Sequence, residues 1–108
     1  MDTYEKLKKN GVYLNPEDVE RFCKKYKVSE LAVFGSSIRD DFHKDSDVDF
    51  LISFVNNFGI SLFDVVDMED ELAQMLKREV QIVAKDGLKN PIRRKIILSS
   101  SEVIYVAT

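Results

Sequence analysis

With 108 residues, 44% of them hydrophobic, the chain can bury one core but not two, so residues 1–108 are expected to form a single domain. The net charge of −3 and the lack of a long basic stretch argue against long DNA or RNA as a partner. No run approaches the roughly 20 apolar residues that cross a membrane. Cys23 is the single cysteine, which rules out an internal disulfide, and residues 1–6 lack the order of a signal peptide, so a cytoplasmic location is expected.

In chain order, residues 2–10 read as a short helix stopped by Gly11. Asn15-Pro16-Glu17-Asp18 is a strong helix start, with a cap residue, proline at the first position and acids in the first turn. That helix should reach about Tyr26, with Val19, Phe22, Cys23 and Tyr26 forming one apolar stripe. Cys23 on this stripe is expected to be a core residue. Leu31 to Phe34 form a first strand, a short helical turn spans about Ser37 to Asp40, and a second strand covers Asp47 to Phe54. A turn is expected at Asn56-Asn57-Phe58-Gly59. Ser61 and Asp64 suggest a capping box opening a helix to about Leu76, in which Leu62, Val65, Val66, Glu69, Leu72, Ala73 and Leu76 show mostly apolar helical spacing. Glu79 to Lys85 read as a third strand and Asn90-Pro91 open a last helix, broken at Ser99-Ser100-Ser101. Glu102 to Ala107 make a fourth strand. Strands alternating with helices suggest a small sheet covered by helices, its other face at least partly open.

The chemistry concentrates in residues 34–54. Successive strand side chains alternate faces, so Asp47 and Asp49 should point the same way, about 6.5–7 Å apart at Cα. Two adjacent carboxylates repel unless a cation lies between them, and hard oxygen donors suit Mg²⁺ or Mn²⁺. Gly35-Ser36 ends the first strand, and its N–H groups with the Ser36 hydroxyl suit phosphate oxygens. Phosphate donors beside a metal-binding acid pair point to phosphoryl or nucleotidyl transfer. The rival reading is a calcium loop starting at Asp45. It fails where glycine and glutamate are required, because those positions hold Phe50 and Asn56. Arg39 either faces phosphate or is solvated, and His43 is expected on the surface.

Gly35-Ser36, ten intervening residues and then Asp47-Val48-Asp49 resemble the signature of the DNA polymerase β nucleotidyltransferase superfamily. Ser46 to Leu51, Ser61 to Asp64, Glu79 to Val83 and Asn90 to Tyr105 resemble its smallest branch, the minimal nucleotidyltransferases. The resemblance implies an α+β nucleotidyltransferase fold, a mixed sheet with helices packed on one face. It also implies attack of a hydroxyl on the α-phosphate of a nucleoside triphosphate, with ATP expected. Gly35 and Ser36 would grip phosphate, and Asp47 and Asp49 would hold the metal. Members of this branch often act as antitoxins beside a helical HEPN-type protein, and some transfer AMP to its tyrosine. The chain departs from the pattern at Ser37 and Asp40, where the family favours arginine and glycine. It also departs at Gln81, where the family carries a third carboxylate. Gln81 offers only a neutral oxygen, so transfer should be slowed or lost unless Glu79, on the same strand face, substitutes. The alternative is therefore an antitoxin-like binding module that neutralises its partner by contact.

Overall fold

In the computed structural model, residues 2–43, 45–55 and 61–107 are described. The turn expected at 56–59 lies outside them. Helices α1 (Thr3–Lys9) and α2 (Pro16–Lys25) precede strand β1 (Val28–Phe34), and a 3₁₀ turn at Gly35–Ile38 follows. Then come β2 (Val48–Phe54), α3 (Leu62–Leu76), β3 (Val80–Ala84), a second 3₁₀ turn at Lys85–Gly87, α4 (Pro91–Ser100) and β4 (Glu102–Val106).

The four strands form one mixed sheet in the order β3-β2-β1-β4. β1 pairs antiparallel with β2 and β4, while β2 and β3 are parallel and joined through α3, the crossover that parallel pairing requires. The end of β1 and the starts of β2 and β3 therefore share one end of the sheet.

Two packing layers result. Leu31 and Val33 of β1 and Val48, Phe50 and Ile52 of β2 point into the main core with Leu7, Phe22 and Leu72 from α1, α2 and α3. The alternate residues Ala32 and Leu51 face the other way and pack with Leu88 and with Ile97 of α4 in a smaller cluster. Three helices thus cover one face, and only α4 contributes to the cluster on the other.

The local signals explain most boundaries. The Asn15 side chain accepts from the Glu17 N–H, with Pro16 at the first position of α2. Ser61 and Asp64 complete a reciprocal capping box on α3. Cys23 is fully buried in the main core, and burial pushes its thiol up to about 12. Three expectations shift. β1 starts three residues before Leu31, at Val28, after a left-handed Lys27 (φ 59°) whose carbonyl accepts from Val55 N–H at 2.8 Å. α4 runs through Ser99 and Ser100, whose hydroxyls donate back to the Ile96 carbonyl at 3.1 and 2.8 Å. The inner side of α3 is centred on Met68, Leu72 and Leu76, while Val66 is half exposed. Phe63 is 84% exposed and Phe54 packs against the core.

Candidate active site

The site begins with a row across three strands. Phe34 pairs with Asp49, and Asp49 pairs with Gln81. Paired residues share a sheet face, so Asp49 and Gln81 lie side by side on the face that carries α4. β2 opens at Val48, one residue later than expected, which leaves the exposed Asp47 just ahead of the strand.

Gly35 follows Phe34 and turns sharply, with φ +78°. That left-handed conformation is open to glycine at no steric cost. A Cβ added there would sit 2.5 Å from Oδ2 of Asp49. The backbone bend therefore lies directly against the carboxylate, and its 3₁₀ turn carries Ser36, half-buried, at the same rim.

Asp49 is half-buried, and its carboxyl is pushed above its ordinary value, first by burial and then by the charge of Asp47. The Arg39 guanidinium opposes that rise. Arg39 itself is exposed and pairs with Asp41 at 3.0 Å. The two carboxylates thus feel each other at a partly desolvated rim, and the cation nearest in effect is already engaged. The donor set is hard oxygen with excess negative charge, which fits a divalent cation of the Mg²⁺ or Mn²⁺ type.

The third acidic position does not appear beside them. Among the described residues no group of three or more His, Cys, Asp or Glu side chains is placed to hold a metal. Glu79 precedes β3, and its carbonyl accepts from Val48 N–H at 3.0 Å. It lines a shallow hollow with Asp70, Ala73, Gln74 and Arg78, by α3. Ser37 is fully buried, so its side chain presents nothing at the surface where the family favours arginine. His43 is exposed, as expected.

Two supporting residues had no signal in the sequence. The Asn10 side-chain amide donates to the carbonyls of Ser37 and Arg39 at 2.8 and 2.9 Å, tying the end of α1 to the bend. Arg78 stacks 4.6 Å from the centre of the Phe42 ring and reaches the Ser46 carbonyl. It thereby holds the loop that delivers Asp47.

A strand–bend–strand rim on a mixed sheet of this order is the architecture of nucleotidyltransferases. The family profile described as "Nucleotidyltransferase domain" matches residues 17–104. The protein adenylyltransferase MntA of Thermococcus cleftensis is 35% identical over 76% of this chain and 78% of its own length. A solved structure described as "Structure of putative minimal nucleotidyltransferase" superposes with a TM-score of 0.68, at 30% identity over 94% of this chain and 95% of that one. At 13% identity, the fold is also that of a chain in the complex of a tri-AMPylated Shewanella oneidensis HEPN toxin with its MNT antitoxin. There the TM-score is 0.63 over 94% of this chain and 73% of that one. The chain belongs to the nucleotidyltransferase-domain family, in its minimal, MntA-like branch.

Proposed function

We propose that this nucleotidyltransferase binds ATP with Mg²⁺ and transfers AMP to a hydroxyl acceptor, a tyrosine on a helical HEPN-type partner. Gly35 and Ser36 hold the triphosphate; Asp47 and Asp49 hold the cation. The acceptor oxygen attacks the α-phosphorus, the bond from that phosphorus to the bridging oxygen breaks, and pyrophosphate leaves. The acceptor proton passes to solvent. A bound divalent ion supplies charge neutralisation on the phosphates at such a site. The protein's own contribution is positioning, because phosphoryl-type transfer asks little covalent chemistry of it.

The observation that carries this reading is the seat of Gly35 against the Asp49 carboxylate. It supports the reading, because the backbone of the bend and a carboxylate oxygen lie at one rim. The acceptor assignment rests on the relatives: one is named a protein adenylyltransferase, and another is bound to an AMPylated HEPN toxin.

A second reading is favoured by the pairing of Gln81 with Asp49. With a neutral amide in the third acidic position, catalysis is weak and the protein acts as a contact antitoxin. Incubation of the protein with labelled ATP, Mg²⁺ and a HEPN-type partner separates the two. Label on the partner, lost in Asp47→Asn and increased in Gln81→Asp, supports the enzyme. A tight complex with no label in the wild type, unaffected by Asp47→Asn, supports the contact module.

A further inference from the structure

Residues 35–38 form a single short 3₁₀ turn. A turn of four residues leaves carbonyls without partners at its end. The turn closes with the Arg39 N–H bonded to the Ser36 carbonyl at 3.0 Å, and the Ser37 and Arg39 carbonyls follow that bond in the chain. Asn10 supplies what they lack. A primary amide carries two N–H donors, and here each finds one carbonyl, at 2.8 and 2.9 Å across 27 and 29 residues of chain.

The clamp is itself fixed. Asn10 caps α1, and its backbone N–H bonds to the Leu7 carbonyl at 3.0 Å. Leu7 is fully buried, and Thr3 and Lys6 bind Glu102 of β4 at 2.9 and 2.7 Å. α1 is therefore anchored to the core and to the edge strand before it reaches the bend. Asparagine has two rotatable side-chain bonds, so little freedom remains in the link.

We infer that Asn10 is a positioning residue of the nucleotide site: by holding the Ser37 and Arg39 carbonyls it fixes where Gly35 and Ser36 present their phosphate-binding groups. The inference rests on the proposed function, in which Gly35 and Ser36 take the triphosphate. It enlarges the site to include the end of α1. A positioning residue of this kind acts on ground state and transition state alike, so its loss shows in KM for ATP more than in kcat.

The test is calorimetric titration of Mg²⁺–ATP into the wild type, Asn10→Asp and Asn10→Ala, with unfolding followed in parallel without ligand. Asn10→Asp keeps the shape but turns acceptors toward two carbonyls; Asn10→Ala removes the donors without adding charge. Loss of two hydrogen bonds is expected to weaken Mg²⁺–ATP binding about tenfold in each variant. Unchanged affinity in folded Asn10→Ala, whatever happens to its melting temperature, overturns the inference alone, because a merely structural residue moves stability and leaves affinity. Should Asn10→Asp fail to fold, Asn10→Ala still decides. No binding by the wild type overturns the functional reading and the inference with it.

Discussion

Alanine at position 35 would meet two separate obstacles. An L-residue in the left-handed region costs about 1 kcal/mol, which corresponds to a melting temperature lower by about 4–8 °C in a small domain. The added carbon would also displace the Asp49 carboxylate, which lies 2.5 Å from its ideal position. Asp49 can rotate away, so the protein should fold, but the acid would leave the rim. Gly35→Ala is therefore expected to keep a cooperative, modestly lowered thermal transition and lose more than tenfold in Mg²⁺–ATP affinity. Circular dichroism and calorimetry on the same preparation check both halves; full affinity would show that the contact is incidental. Gly35, Asp49 and Gln81 were readable in the sequence because motif spacing and strand alternation are local. Asn10 and Arg78 were not, because their partners lie 27 or more residues away and leave no periodic trace.

Among the elements, α1 is the shortest helix and depends most on what it is tied to. Its seven residues are too few to be stable alone. Glu102 of β4 accepts from Lys6 and Thr3, and the Lys6 bond, with help from Thr3, holds its carboxyl below the ordinary value of 4.5. A carboxyl whose folded value is depressed binds fewer protons folded than unfolded. Its contribution is complete above pH 4.5 and disappears as pH falls through the lower, folded value. The pair is about one third exposed, so solvent screening limits it to roughly 0.5–1 kcal/mol. Glu102→Gln should thus lower the melting temperature by about 2–5 °C at neutral pH, with the gap closing in acid and in high salt. A gap that stays constant with pH would assign the effect to packing. Other elements show where local pattern misleads. The apolar residues of α3 lie on two sides, so the inner stripe could be drawn through Val66 when tertiary packing selects Met68. Glu69 interrupts that stripe for a reason visible only in three dimensions: β3 is a sheet edge, and the Glu69 carboxylate accepts the Ile82 N–H at 2.8 Å. Strand order itself carries no local signature, whereas the existence and type of each element do.

Taken as a whole, the molecule puts its main core and the candidate site on opposite faces of one sheet. Val48, Phe50 and Ile52 secure β2 from one side, and Asp49 stands between them on the other. The arrangement makes the site costly when empty, because a half-buried carboxylate sits beside a second one. The unfolded chain separates the two charges and exposes both to water, so under the proposed function a cation and triphosphate are expected to stabilise the folded state selectively. Binding of that kind adds about 2.7 kcal/mol at a ligand concentration 100 times Kd, a rise in melting temperature on the order of 10 °C for a domain of this size. Asp49→Asn should act in opposite directions on the two states. Without ligand it removes the repulsion and melts at or above the wild-type temperature; with Mg²⁺ and ATP it gains little or nothing. Thermal unfolding of both proteins, with Mg²⁺ alone, ATP alone and the two together, tests the combination. A wild type indifferent to the pair of ligands, or an Asp49→Asn variant shifted as far as the wild type, would remove Asp49 from the site. The expected crossing reflects a general trade: residues arranged to hold a charged ligand destabilise the fold that presents them.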